Sequence, residues 1–190
     1  MARIMFIVAS DFEDSEFRVP YDRVKEAGHE AVIVGTEAGK KLKGKKGKES
    51  ILVDRAARHA SAEEFDALVI PGGYSPDHLR MDADVVGLVR DFSQAHKPIA
   101  AICHAGWLLA EAGILEGRTV TSYPSIKTDL INAGAHWVDR EVVEDGHLIT
   151  SRKPDDLEAF CGALLRQVAQ GRASQAQAAE AVTEVPPSIH

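Results

Sequence analysis

Cys103 and His104 are the residues of this chain whose types and position most directly suggest chemistry. They follow the apolar run at residues 98–102, and a helical pattern over 105–112 begins directly after them, which predicts a strand, a sharp turn and a helix. Such a turn exposes a nucleophile, and a helix N-terminus favours the thiolate form. We therefore expect the pKa of Cys103 to lie below the ordinary value of about 8.5. The alternative is a small buried thiol that packs like alanine.

Backbone amides next to this turn could complete an acyl-transfer site. Gly72 and Gly73 end another apolar run, residues 66–70, and a glycine pair lets the backbone approach a substrate closely. The amides of Gly73 and His104 could then donate to a developing oxyanion. The His104 side chain is a candidate base, although adjacent helical residues point in different directions. The alternative for the glycine pair is a tight turn without a catalytic role.

Glu13 is one of four acids in the segment 11–16, which follows the first apolar run. An acid near the end of a strand is more often a solvated loop residue than a catalytic group. If Glu13 reaches the sulfur, its protonated carboxyl could donate a hydrogen bond to the thiolate. The pKa of Glu13 would then be raised.

Strands alternating with helices must position these groups. Apolar runs typical of buried strands alternate with helical patterns, the first of which, 16–27, is expected to carry Pro20 in its first turn. This alternation predicts one α/β domain over residues 1–170, doubly wound around a mostly parallel sheet, with the polar clusters sharing a pocket at the carboxyl ends of the strands. Residues 171–190 are interpreted as a C-terminal tail or a short extra helix. The runs assigned to strands are 3–9, 31–34, 66–70, 98–102, 119–121 and a hairpin at 141–150.

Composition excludes several classes of protein. A net charge of −7, from 22 Lys and Arg against 29 Asp and Glu, argues against nucleic acid as a bulk partner. The six lysines within 40–48 predict a solvated loop or hairpin, with a nucleic-acid patch as the less favoured alternative because no aromatic residue is interleaved. No apolar run is long enough to span a membrane, and two cysteines without C-x-x-C spacing indicate a reducing compartment, so we expect a cytoplasmic protein. The eight histidines show no H-E-x-x-H spacing, so no metal site is expected.

Several motifs together resemble one known family. The chain is similar to the PfpI intracellular protease family, which belongs to the class I glutamine-amidotransferase-like superfamily together with Parkinson-associated deglycase-like proteins and cofactor-independent glyoxalases. The resemblance covers about residues 3–169. Its motifs are Phe-Glu-Asp-Ser-Glu at 12–16, Ala-Leu-Val-Ile-Pro-Gly-Gly at 67–73, Ala-Ile-Cys-His at 101–104, Thr-Ser-Tyr-Pro at 121–124 and Asn-Ala-Gly-Ala-His-Trp-Val-Asp at 132–139.

The resemblance implies a flavodoxin-like three-layer sandwich with Cys103 as the nucleophile on a sharp elbow. It also implies that Glu13 touches the sulfur, that the amides of Gly73 and His104 hold the oxyanion, and that Tyr123 lines the pocket. No cofactor is implied.

A neighbouring subunit is implied as well. In proteins of the PfpI type the acid that orients the histidine comes from another subunit, and the matching position here is Asp77. We therefore expect a homo-oligomer, a dimer or a hexamer. Asp77 is one methylene shorter than the glutamate that the family usually has, and Ala105 replaces the usual glycine, which is expected to narrow the pocket.

Two functions follow as alternatives. The first is a stress-response cysteine hydrolase in which Cys103 attacks the carbonyl of a peptide, an amide or a methylglyoxal-derived glycated substrate. The second is a redox-sensing or chaperone-like protein in which Cys103 is oxidised without turnover. The sequence does not choose between the substrates.

Overall fold

The computed structural model describes residues 1–183 of the chain. The strands are β1 (Arg3–Ile7), β2 (Glu30–Gly35), β3 (Lys41–Lys43), β4 (Ser50–Leu52), β5 (Arg55–Ala56), β6 (Ala67–Ile70), β7 (Ile99–Ile102), β8 (Thr119–Val120), β9 (His136–Trp137), β10 (Val143–Asp145) and β11 (Leu148–Ser151). The α-helices are α1 (Asp14–Glu26), α2 (Ser75–Leu79), α3 (Ala83–Gln94), α4 (Gly106–Ala112), α5 (Lys127–Asn132) and α6 (Leu157–Thr183). Short 3₁₀ turns occupy Ala57–His59, Ala62–Glu64, Cys103–Ala105, Pro124–Ile126 and Pro154–Asp156.

Seven strands form the central sheet, in the order β10-β11-β7-β6-β1-β2-β5. All neighbouring pairs are parallel except β10 with β11, which form the hairpin expected at residues 141–150. The predicted α/β class with a mostly parallel sheet is therefore confirmed. Because parallel strands all end at the same edge, the segments that follow β1, β6 and β7 lie close together.

The sheet is buried on both faces, which explains why its central strands are continuous apolar runs. Successive side chains of β1 alternate between two cores: Ile4 and Phe6 pack with α1 and α6, whereas Met5 and Ile7 pack with α3 and α4. Each large apolar side chain that is fully buried here contributes about 1.5–3 kcal/mol to folding. The result is a three-layer sandwich that holds the ends of its strands rigidly.

Helix α1 begins earlier than the sequence suggested. Its first residue is Asp14, with Glu13 in an extended conformation just before it, so Pro20 lies inside the helix rather than in its first turn. Pro20 has no N–H to donate to the carbonyl of Glu16. The two acids of the first turn, Asp14 and Glu16, are favoured there by the helix dipole.

The C-terminal end of the domain also differs from the one predicted from the sequence. Helix α6 continues without a break through residue 170 to Thr183, so the described part of the expected tail extends α6 and is not a separate element. Its residues 171–181 are exposed. The rest of the predicted tail, residues 184–190, lies outside the described residues. Of the helices in residues 1–183, none has both the length and the apolar character required to span a bilayer.

Candidate active site

A cavity of about 320 Å³ opens at the carboxyl ends of β1, β6 and β7. Its lining combines side chains and backbone from several segments that are distant in sequence. The lining residues used below are Glu13, Glu16, Lys45, Gly73, Cys103, His104 and Tyr123.

Cys103 occupies a strained turn between a strand and a helix. Strand β7 ends at Ile102, and Cys103 has φ of 62°, a left-handed conformation that a residue with a side chain rarely adopts. Such a conformation costs about 1–3 kcal/mol and persists only where the surrounding structure enforces it. The side chain is 6% exposed and faces the cavity. This is the geometry of a nucleophile elbow.

Gly72 and Gly73 lie against the elbow, where no other residue would fit. A Cβ on Gly72 would lie 2.5 Å from Oε1 of Glu16 and 2.7 Å from Cβ of Cys103. Gly73 has φ of 77°, and a Cβ there would lie 2.5 Å from the backbone nitrogen of Glu13. The backbone amides of Gly73 and His104 lie close to the Cys103 sulfur and act to lower the pKa of its thiol. The glycine pair is therefore both a tight turn and the source of one of these two amides.

The carboxyl group next to the sulfur belongs to Glu16, and this corrects the sequence analysis, which placed Glu13 there. Glu16 is fully buried, its Oε1 accepts the amide of Gly72 at 3.0 Å, and its carboxyl interacts with the Cys103 side chain. Its Oε2 has no nitrogen or oxygen partner among the described residues. Burial, together with the negative charge of Glu13, raises the pKa of Glu16 to about 8. Glu16 is therefore protonated at neutral pH and can donate a hydrogen bond.

Glu13 lines the same cavity but binds two lysines. Its Oε2 lies 2.8 Å from Nζ of Lys45, and its Oε1 lies 2.9 Å from Nζ of Lys46. Burial alone would raise the pKa of Glu13, but the hydrogen bonds and charges of the two lysines outweigh it and the pKa is lowered. The raised pKa expected for Glu13 is therefore found at Glu16 instead.

The Cys103 sulfur is less acidic than the sequence suggested. Burial, followed by the negative charge that Glu16 carries above its own pKa of about 8, raises the pKa of the thiol to about 12. The amides of Gly73 and His104 and the charge of Lys45 act in the opposite direction, but they do not outweigh burial. The expectation of a lowered pKa considered the helix terminus and left out desolvation, which is the larger effect here. The resting sulfur is a thiol.

The His104 ring lies between the Cys103 sulfur and the Ser125 hydroxyl. Its Nδ1 lies 3.1 Å from Sγ of Cys103, and its Nε2 lies 3.1 Å from Oγ of Ser125. Tyr123 stacks on the ring with centroids 5.0 Å apart, and Trp107 contacts it edge-on. Burial, with a smaller contribution from the charge of Lys45, lowers the pKa of His104, so the ring is neutral at neutral pH. A neutral imidazole can accept the thiol proton.

Two other residues singled out in the sequence lie elsewhere. Asp77 is on the exposed side of α2, and the described chain shows no bond between its carboxylate and His104, whose Nε2 faces Ser125. The proposed contact of Asp77 therefore depends on a second subunit. Ala105 is fully buried in the core beside α4 and does not line the cavity, so its methyl group does not narrow the pocket.

Three residues of the site were missed by the sequence analysis. Glu16 could have been found from helical spacing, because it shares the face of Pro20 and Val24, four and eight residues on, and an acid on an apolar face is unusual. Lys45 was treated as one of several solvated lysines. For Ser125 no local signal exists, since only tertiary structure brings it to His104.

No set of three or more His, Cys, Asp or Glu side chains within residues 1–183 is arranged to hold a metal ion.

Comparison with known proteins identifies the family. The sequence profile of the DJ-1/PfpI family matches residues 2–167. The chain belongs to the DJ-1/PfpI family. Protein/nucleic acid deglycase 2 of Escherichia coli is 46% identical over 165 residues, which make up 86% of this chain and 96% of that protein. General stress protein 18 of Bacillus subtilis is 46% identical over 159 residues, 83% of this chain and 92% of the relative.

The fold of the DJ-1/PfpI family is found in solved structures as well. DJ-1beta of Drosophila melanogaster superimposes with a TM-score of 0.81 at 30% identity, covering 92% of this chain and 97% of that one. The family resemblance and the flavodoxin-like sandwich expected from the motifs are both confirmed.

Proposed function

We propose that this chain is a cysteine-dependent hydrolase of the deglycase type, in which Cys103 attacks the carbonyl carbon of a glycated, amide or peptide substrate. The observation that carries the proposal is the Cys103 sulfur on a strained elbow, 3.1 Å from a neutral imidazole and beside two converging amides. Family membership and the deglycase name of the Escherichia coli relative add support.

The nucleophile forms when substrate binds. Because the pKa of the Cys103 thiol is raised and that of His104 is lowered, the resting pair is a thiol and a neutral ring. Nδ1 of His104 accepts the thiol proton as the sulfur adds to the carbonyl carbon. The carbonyl π electrons move to oxygen, and the amides of Gly73 and His104 hold the oxyanion.

The second half of the reaction returns the proton. With an amide or peptide substrate, the oxyanion re-forms the carbonyl, the carbon–nitrogen bond at the attacked carbon breaks, and the departing amine takes the proton from the His104 imidazolium. For an amide this leaves a thioester on Cys103, which water hydrolyses to an acid and the free thiol. The balance is one water consumed for each amine and acid released.

Ser125 and Glu16 position the reacting groups. With Nδ1 facing the sulfur, Nε2 of His104 must carry the hydrogen and donate it to Oγ of Ser125, which fixes the tautomer needed in a base. As the sulfur loses its proton, the protonated carboxyl of Glu16, which interacts with the Cys103 side chain, can donate a hydrogen bond to it and stabilise negative charge there without adding any. Both residues act through His104 or Cys103 and do not reach the substrate carbonyl.

A homo-oligomer is part of this proposal. Asp77 is exposed on α2 and could approach the His104 of a second subunit near Ser125, as the family resemblance implies. A cytoplasmic stress-response role is also proposed, in line with the name of the Bacillus subtilis relative and with two free cysteines. Measurement of mass in solution tests dimer against hexamer.

The redox-sensing alternative has less support. Rapid oxidation by peroxide requires an accessible thiolate, whereas the Cys103 side chain is 6% exposed and its pKa is raised. The second cysteine, Cys161, is fully buried in α6 and does not line the cavity. Sulfinic acid on Cys103 after mild peroxide, in protein that stays folded, would favour the sensor instead.

The first prediction is that Cys103→Ala lowers turnover at least about a thousandfold, to background, on a panel of peptides, amides and methylglyoxal adducts. Cys161→Ala is the matched control and should retain wild-type turnover, because its side chain lies outside the cavity. The measurement is release of free amine. Equal rates in wild type and Cys103→Ala would reject the mechanism.

A further inference from the structure

The lysine-rich turn between β3 and β4 reaches the mouth of the cavity, although its composition suggested an ordinary solvated hairpin. Lys45 lines the cavity, whereas Lys46 and Lys48 do not. The proposed chemistry at Cys103 gives Lys45 no role.

Two ammonium groups share one carboxylate at this mouth. Glu13 supplies one negative charge to two ammonium groups, Lys45 at 2.8 Å and Lys46 at 2.9 Å. The Glu16 carboxyl and the His104 ring are neutral at neutral pH. Among the described residues 1–183, Lys45 is the one Lys or Arg side chain that lines the cavity, and the nearby carboxylate of Asp14 is taken up by three backbone amides of the turn. An anion that binds Lys45 would leave Glu13 paired with Lys46.

The lysine turn is held in place before any ligand binds. Both carboxylate oxygens of Asp14 accept its backbone amides, those of Lys46, Lys48 and Glu49, each at 2.9 Å. The amide of Lys45 donates to the carbonyl of Phe12 at 2.9 Å. A prearranged turn loses little entropy when a ligand binds. The Lys45 backbone is therefore fixed relative to α1 and to the site.

Lys45 is also close enough to the reacting groups to act on them electrostatically. Its charge opposes the rise in the pKa of Cys103 and contributes to the lowered pKa of His104. Because Lys45 and Cys103 line the same cavity, a small molecule whose carbonyl lies at the sulfur can place a second group at the ammonium of Lys45. A cavity of about 320 Å³ suits a ligand of that size.

We propose that Lys45 is a substrate-binding residue that selects carbonyl compounds carrying a carboxylate or phosphate near the reacting carbon. The inference rests on the proposed function, because it takes attack by Cys103 on a carbonyl as given. It adds to that function the charge of the preferred substrate.

The test measures binding without requiring turnover. Reversible addition of an aldehyde to Cys103 protects the sulfur from iodoacetamide, and mass spectrometry follows the alkylation of Cys103. The probes are neutral glycolaldehyde, glyoxylate with a carboxylate, and glycolaldehyde phosphate. Each protection constant is taken relative to the unprotected rate of the same variant, so any change in intrinsic thiol reactivity cancels.

In wild type we expect the protection constant of at least one charged probe to be about tenfold tighter than that of glycolaldehyde. A change of about tenfold is the effect expected from one well-placed ion pair. Lys45→Met should bring that preference to within about twofold, and Lys45→Arg should keep it. Lys48→Met is the matched control, because it removes the same charge from the same turn outside the cavity. Glu13→Gln should strengthen the preference by freeing Lys45.

Preference for glyoxylate alone or for the phosphate alone identifies the anionic group and supports the proposal. Equal protection by neutral and charged probes in wild type would overturn it, as would an equal loss of preference in Lys45→Met and Lys48→Met. The proposed function fails separately, through equal turnover in wild type and Cys103→Ala. The two failures are therefore distinguishable.

Discussion

Glu13 and Glu16 are two glutamates three residues apart whose environments give them opposite behaviour. Both are almost fully buried, at 3% and 0% exposure. Glu13 lies at the cavity mouth with two lysines, and its pKa is lowered. Glu16 lies on the cavity floor with one backbone amide and a thiol, and its pKa is raised to about 8.

The degree of burial alone therefore does not predict which of the two acids is charged. Desolvation raises the pKa of both, and only the presence of opposite charge reverses it at Glu13. The cavity mouth, at Glu13, thus holds charged groups that can bind an ion. The cavity floor, at Glu16, holds a neutral proton donor that can form a hydrogen bond with the sulfur. The two environments lie one helical turn apart. Glu13, just before α1, contacts the lysines between β3 and β4, whereas Glu16, in the first turn of α1, contacts the elbow that carries Cys103.

The largest expected effect comes from disturbing the close packing of Gly72 against Glu16 and Cys103 at the bottom of the cavity. Gly72→Ala would place a methyl group 2.5 Å from Oε1 of Glu16 and 2.7 Å from Cβ of Cys103, so one of them must move. We expect a loss of about 3 kcal/mol in the free energy of unfolding and turnover near background. Denaturant titration and an activity assay measure the two effects.

Gly87→Ala is the control for this substitution. A Cβ on Gly87 meets nothing within 4 Å, and the residue lies inside α3, so alanine should stabilise the protein by up to about 1 kcal/mol. If Gly72→Ala behaved like Gly87→Ala, the close packing of Glu16, Gly72 and Cys103 would be refuted.

The next effect is a change in how stability depends on pH. Because the folded-state pKa of Glu16 is raised from its ordinary value of 4.5 to about 8, its contribution to stability is present below pH 4.5 and lost as pH rises toward 8. Glu16→Gln keeps an acceptor for Gly72 and cannot ionise. The variant should match wild type near pH 5 and be more stable at pH 9.

Denaturant midpoints across this pH range measure the difference. At its steepest, the curve of wild type minus Glu16→Gln should fall by about 1.4 kcal/mol per pH unit. A flat curve between pH 5 and pH 9 would show that Glu16 is ionised throughout, contrary to its burial.

The smallest effect on the free energy of unfolding is expected for Glu13, at the mouth of the cavity. Glu13→Gln removes the partner of two half-exposed lysines and should lower the free energy of unfolding by about 1 kcal/mol at pH 7. Since the pKa of Glu13 is lowered, this contribution is present above pH 4.5 and lost as pH falls through the folded-state value. The two glutamine variants should therefore differ from wild type with opposite sign, and the same sign in both would contradict the comparison.

Local pattern was enough to predict the elements and the elbow. The apolar run before Cys103 and the helical pattern after it place this residue at a sharp turn, and a φ of 62° is what that turn requires. Glycines 72 and 73 were also predictable at the neighbouring strand end. These features depend on periodicity and chain geometry over a few residues, which the order of amino acids determines directly.

Which acid touches the sulfur depended on where α1 begins. A start two residues earlier than expected turns Glu16 toward the elbow and leaves Glu13 in the extended segment beside the lysines. Boundaries of this kind are the least certain part of a sequence-based prediction, because capping and packing decide them.

The sequence by itself determined the α/β alternation, the family and the position of Cys103 at a sharp turn between a strand and a helix, since these follow from local periodicity and from motifs that remain together along the chain. Tertiary structure alone decided the protonation of Cys103 and Glu16, the contact of Ser125 with His104 and the approach of Lys45 to the cavity. The physical reason is that desolvation and charge depend on every group within a few ångströms, and most of those groups here come from distant segments.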